Sequence, residues 1–232
     1  MVLVFFWLQQ ACAFYTAYDV GHSVTGRPIV LEQIGSGSDV VLIVSTIHGN
    51  EWSGYPLSLK LVDLLSKERM ALKGKTVLVL PLVNPDGFVL YQRNNINWVD
   101  LNRNFPSENY GKSYRAGDFP LSEPESLALK QVVERFNPQR IITIHEPLEC
   151  IDYDGKGELL AQRLSLISEL PVKRLPTYSG SLGSFVDAHL DSEFLTIELP
   201  YFVHLKDPDE LWSRYGPLLM EAIFWKGEDT NH

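Results

Sequence analysis

Val40-Val-Leu-Ile-Val44-Ser-Thr-Ile-His48-Gly-Asn-Glu51 runs from an unbroken apolar stretch to an imidazole and a carboxylate three positions apart. A run of Val, Ile and Leu without polar alternation is what a strand covered on both faces requires. Thr76 to Val83, Ile141 to Ile144 and Phe194 to Leu199 repeat the pattern. Between these runs Leu57, Leu61, Leu64 and Leu65 fall at helical spacing, as do Leu129, Val132, Val133 and Phe136 after a Ser122-x-x-Glu125 capping box. Strands that alternate with helices predict an α/β fold with the sheet inside. A last helix is expected to start at Asp207-Pro208, where an N-cap and a first-turn proline coincide, and to bend near Pro217. Residues 84 to 120 lack strong periodicity and read as a long ordered loop region. Gly35-Ser-Gly37-Ser38 is too short for a phosphate loop and reads as a turn between strands.

With 232 residues, 45% of them hydrophobic and 21% charged, the chain can bury one sizeable core, so residues 14 to 232 are expected to form one domain. The net charge of -9 argues against nucleic acid as a partner, because counterion release needs clustered Lys and Arg. Met1 to Leu8 form a short apolar run ahead of Ala11-Cys12-Ala13, a small-x-small pattern. Residues 1 to 13 thus read as a signal peptide, which would place the folded body in the periplasm or outside the cell. They lack a basic leading region, and the alternative is a buried first strand in a cytoplasmic protein. No other stretch approaches the ~20 apolar residues that span a bilayer, so stable membrane insertion is not expected. If Cys12 is removed, Cys150 is left alone, and cysteine usage does not decide the compartment.

His48 and Glu51 follow one apolar strand, and His145 follows another directly. Ligands gather at the carboxyl ends of strands in open α/β sheets. Two imidazoles and one carboxylate, with a fourth position left for water, make the donor set of a catalytic zinc site. Glu198 ends a third such strand, and a carboxylate flanked by apolar residues must face a partner or a cavity. It is a candidate general base, with a structural ion pair as the alternative. Asp187, His189 and Asp191 alternate as ligands on one strand face would, but no apolar face accompanies them and a solvated edge or loop is expected. Lys112 and Arg115 read as solvated surface, the alternative being recognition of acidic substrate groups. His22, His204 and His232 belong to no motif.

His48-Gly-Asn-Glu51, Asn84-Pro-Asp-Gly87, Asp100-Leu-Asn-Arg-Asn-Phe105, His145 and Thr196-Ile-Glu-Leu199, in this order, resemble the carboxypeptidase A-like zinc carboxypeptidases. The resemblance implies a single-domain α/β fold with a mixed, mostly parallel twisted sheet and helices on both faces. It implies one Zn2+ per chain held by His48, Glu51 and His145, with Glu198 activating water and protonating the leaving amine. By the same resemblance Arg93 steadies the oxyanion, a contact worth a few kcal/mol in the transition state. Asn102 and Arg103 would grip a terminal carboxylate. Tyr178 is similar to the family's mobile tyrosine, although the spacing of its loop differs. Gly21-x-Ser23 with Gly26-Arg-Pro-Ile29, and His145-Glu-Pro-Leu-Glu-Cys150-Ile-Asp152, are similar to the bacterial murein peptide amidases. Those enzymes cut between γ-D-glutamate and meso-diaminopimelate in cell-wall peptides, so the implied partner is a murein-derived peptide with a free C-terminal carboxylate. One departure stands out: Phe185, after Gly183-Ser184, supplies no charge for a zwitterionic side chain, whose polar contacts must lie elsewhere. A same-fold deacylase of N-acyl amino acids and a non-catalytic module that binds wall peptides are the rival functions, and the oligomeric state is open.

Overall fold

The computed structural model describes residues 14–107, 110, 115–201 and 203–227. The expected signal segment of residues 1 to 13 with Cys12, and also Lys112 and His232, lie outside the described residues. Seven strands, β1 (Tyr15–His22), β2 (Pro28–Gly35), β3 (Asp39–Ser45), β4 (Lys75–Leu80), β5 (Arg140–His145), β6 (Leu148–Gly155) and β7 (Glu193–Pro200), form one sheet in the order β1-β2-β4-β3-β5-β7-β6. The four inner strands β4, β3, β5 and β7 are parallel, and the apolar runs of the sequence are these four. The pairings β1 with β2, β2 with β4 and β6 with β7 are antiparallel, so parallel pairing is confined to the centre.

Helices cover both faces because successive strand residues point to opposite sides. Val41 and Ile43 of β3 join one core with Leu57, Leu61 and Leu65 of α1 (Gly54–Leu65), together with α4 (Glu158–Leu166) and α6 (Pro208–Phe224). Leu42 and Val44 join a second core with Leu129, Val132 and Val133 of α3 (Pro124–Phe136), and with Phe185 and Val186 of α5 (Leu182–His189). Each fully buried Leu of this kind contributes roughly 1.5–3 kcal/mol. Among the described residues no helix is long and apolar enough to cross a membrane.

Several local expectations are corrected. The stretch from 84 to 120 contains a short helix, α2 (Pro85–Leu90), and a 3-10 turn, Leu101–Arg103. Asn84 starts α2 by accepting the Gly87 N–H at 2.9 Å, with Pro85 pre-set in the first turn. The capping box at Ser122 does not form: α3 begins at Pro124, and the Ser122 hydroxyl donates to the Glu123 carboxylate at 2.8 Å. The strand expected from Thr76 to Val83 ends at Leu80. Asp187 and His189 lie on α5, not on an edge strand or in a loop, because Ser181 caps that helix and Phe185 and Val186 bury its inner face. Asp191 pairs with Lys156. The cap at Asp207 forms as expected, its carboxylate accepting the Asp209 N–H at 2.9 Å, and α6 continues as one helix through Pro217.

Candidate metal centre and substrate cavity

The carboxyl ends of β3, β5 and β7 lie side by side, and the register sets His145 directly beside Glu198. After β3 the chain turns at Thr46, whose φ is 54°, and carries His48 and Glu51 across the top of the sheet to α1. This loop lies against α2 so closely that a Cβ on Gly49 would sit 2.1 Å from the Gly87 carbonyl carbon. Only glycine permits that approach.

His48 Nδ1 lies 2.7 Å from Glu51 Oε1, His145 Nδ1 lies 2.7 Å from Glu51 Oε2, and the two Nδ1 atoms are 3.2 Å apart. All three side chains are buried. Among the described residues this is the one group of three such donors close enough to share an ion. The arrangement fits zinc: ~2.0–2.1 Å bonds in tetrahedral geometry separate ligand atoms by about 3.3 Å, so small side-chain adjustments would seat the ion. His48 Nε2 faces Asp100 Oδ1 at 3.0 Å, the outer carboxylate that typically orients a metal-binding imidazole. Burial on its own would lower the pKa of His48, but Glu51 and Asp100 outweigh it and raise the imidazole to about 9. Burial pushes Glu51 up, yet His48 and His145 hold it well below the usual carboxylate range. The cluster is thus built to hold positive charge between its donors.

All eight candidate residues, His48, Glu51, Arg93, Asn102, Arg103, His145, Tyr178 and Glu198, line one cavity of ≈ 260 Å³. Arg93 is anchored by Asp100 at 3.1 Å and Glu51 at 3.2 Å. Glu198 is buried, and its Oε2 accepts the Leu148 N–H at 3.3 Å. Burial raises its pKa, His145 opposes the shift, and Glu51 adds to it. Arg103 donates to the Asn102 carbonyl at 2.6 Å and lies over the Tyr178 ring, 4.1 Å from its centroid. The Asn102 side chain is held by the Leu182 N–H at 2.9 Å, which ties this end of the cavity to α5. Arg115 is exposed and is no part of the wall.

Sequence reasoning gave no role to Asp100, Glu146, Asp152 or Asp154. Asp100 contacts His48, Arg93 and the Asn102 N–H, and so joins the metal cluster to the substrate wall. Glu146 accepts the Ser53 N–H at 2.8 Å and fixes the start of α1 to the end of β5. Asp152 and Asp154 belong to the cavity wall. Their alternation on the strand after His145 was the available signal.

A model described as zinc carboxypeptidase matches residues 8–157. Murein peptide amidase A of Escherichia coli (strain K12) is 33% identical over 230 residues, covering 90% of this chain and 90% of that protein. Its counterpart in Vibrio campbellii is 31% identical and covers 83% and 82%. Among solved structures, the murein-tripeptide amidase of Escherichia coli O157 matches with a TM-score of 0.71 and 30% identity over 92% of this chain and 93% of that one. Carboxypeptidase A from Helicoverpa armigera has a TM-score of 0.76 at 23% identity, covering 91% of this chain and 67% of that one, a likeness of fold.

Proposed function

Because the chain belongs to the zinc carboxypeptidase family, whose members hydrolyse peptides with zinc, we propose that it removes the residue bearing a free terminal carboxylate. We propose further that its natural bond joins γ-D-glutamate to meso-diaminopimelate in murein peptides. The observation that carries the reading is one cavity with a three-donor metal cluster and a buried carboxylate at one part and the Asn102–Arg103 pair at another. Likeness to murein peptide amidases along nine tenths of the chain supports the murein assignment.

His48, Glu51 and His145 would hold zinc, which supplies Lewis acidity to acidify water and polarise the scissile carbonyl. Arg103 and Asn102 bind the terminal carboxylate and fix the peptide's direction, a task suited to a planar guanidinium. Tyr178, stacked on Arg103, closes that end. Arg93 stabilises negative charge that develops on the carbonyl oxygen. Glu198 takes the proton of the attacking water as the new C–O bond forms, then delivers it to the departing nitrogen as the C–N bond breaks. Its raised pKa suits both halves of that exchange. Residues 14 to 232 act as one catalytic domain in this reading, and residues 1 to 13 direct export, which the N-terminus of the mature protein would check.

The test is incubation of purified protein with murein tripeptide, ordinary peptides, their C-terminal amides and N-acyl amino acids. About one zinc per chain, loss of hydrolysis on chelation and inactivity toward amides are expected. Undiminished cleavage of amides would replace the carboxypeptidase reading, and turnover of N-acyl amino acids alone would make the protein a deacylase.

A further inference from the structure

The turn from Arg93 to Asp100 carries at its two ends a guanidinium and a carboxylate that meet beside the metal cluster. Arg93 donates to Asp100 at 3.1 Å and to Glu51 at 3.2 Å, and Asp100 in turn faces His48 at 3.0 Å. Between these ends the chain folds around Asn95, which is fully buried. Every polar group of that residue is engaged. Its N–H donates to the Val99 carbonyl at 2.9 Å, and its carbonyl accepts the Trp98 N–H at 3.0 Å and the Gln92 side chain at 3.1 Å. Its side-chain oxygen accepts the N–H groups of Asn97 and Val99, both at 3.1 Å. The closed turn holds Trp98 at a φ of 63°, a conformation that a bulky residue keeps only where its surroundings over-determine it.

Asn95 is itself gripped from α3. Its Nδ2 group donates to Glu123 at 2.6 Å and to Glu125 at 3.3 Å, two buried carboxylates at the start of that helix. Glu123 also accepts from the Asn97 side chain at 2.9 Å and the Ser122 hydroxyl at 2.8 Å, and Glu125 accepts the Val24 N–H at 3.3 Å. Among the described residues neither carboxylate is paired with a lysine or arginine, so neutral donors alone replace the water lost on burial. Burial pushes Glu125 up, its own N–H, Asn95 and Val24 oppose the shift, and Glu123 adds to it. Asn95 is the one side chain that donates to both carboxylates, and moving it would strand two buried acceptors. Arg93 has need of such an anchor. Its side chain is 43% exposed on a flexible stem, and its backbone carbonyl accepts the Gly49 N–H of the metal loop at 3.2 Å. A misplacement of ~1 Å in a group that meets the transition state can cost ~10²-fold in rate.

We propose that Asn95, clamped by Glu123 and Glu125, is a positioning residue that sets the Arg93 guanidinium beside the reacting carbonyl. The inference rests on the hydrolase reading and deepens it.

The test is a double-mutant cycle of Asn95→Ala and Arg93→Ala on a peptide with a free terminal carboxylate, with kcat, KM, zinc content and melting temperature measured for each variant. Asn95→Ala should lower kcat by about tenfold or more at unchanged zinc content. KM should stay within about threefold, because Asn102 and Arg103 still grip the terminal carboxylate. Arg93→Ala should lower kcat by roughly 10²–10³-fold. The double variant should be slower than Arg93→Ala by no more than about twofold, since a guanidinium that is gone cannot be misplaced. Losses that multiply, an unchanged kcat in Asn95→Ala, or a loss that follows zinc content would overturn the proposal. If Asn95→Ala does not fold, the isosteric Glu123→Gln, which weakens the clamp and keeps its shape, takes its place. It should lower kcat by about threefold or more in the parent and not at all in Arg93→Ala, and any other pattern overturns the proposal. If the parent cleaves no peptide, the hydrolase reading fails separately, and calorimetric binding of a phosphonate peptide analogue to the zinc-loaded proteins tests the clamp. An affinity about tenfold weaker in Asn95→Ala, with no further loss in the double variant beyond that of Arg93→Ala, is expected, and equal affinities of parent and Asn95→Ala overturn it.

Discussion

Glu198 and Asp154 are both carboxylates raised by burial, and they are expected to answer substitution in different ways. Glu198→Gln keeps size and most hydrogen bonding but cannot take a proton. Its kcat should fall by roughly 10²–10⁴-fold while zinc content and substrate affinity stay near those of the parent. Normal turnover in the folded, zinc-loaded variant would remove Glu198 from the mechanism. Asp154 is pushed up to about 6 by burial, then by Asp152 on the same strand and Asp187 on α5, with Arg174 opposing; its neighbour on β7, Phe194, is uncharged. Since its folded pKa exceeds the unfolded value, its contribution to stability is full below pH ~4 and is lost as pH rises through about 6. Asp154→Asn should therefore melt higher than the parent at pH 8, by roughly 2–4 °C after solvent screening, and the two should converge below pH 4. The metal donors and Glu198 were legible because strand ends announce themselves as apolar runs. Asp154 was not, because its place opposite Phe194 depends on an antiparallel register that local sequence does not reveal.

The elements carry stability and position together. Leu61 of α1 is fully buried against β3 and β4, so Leu61→Ala should lower stability by about 2–5 kcal/mol, measured by denaturant unfolding, while surviving folded molecules keep their zinc content. All four inner strands were readable from composition because burial on both faces removes polar alternation. The outer strands β1, β2 and β6 carry polar residues on an exposed side and escaped notice. The failure at Ser122 has another cause: its hydroxyl and the Asn104 side chain share a hydrogen bond at 3.0 Å, so tertiary contacts outcompeted the local cap. In α5 the helical period prevailed over the alternating polar residues because Phe185 and Val186 both reach the core.

At the scale of the molecule, the metal donors are 97 positions apart and come from two separate strand ends. Binding an ion there joins the β3 and β5 ends of the sheet and adds nothing to an unfolded chain in which the donors are scattered. Zinc should accordingly raise the melting temperature, and the gain should grow with free zinc as the logarithm of its excess over Kd. His145→Ala should abolish most of that gain, and equal melting curves of metal-free and zinc-loaded parent would contradict the assignment of the cluster.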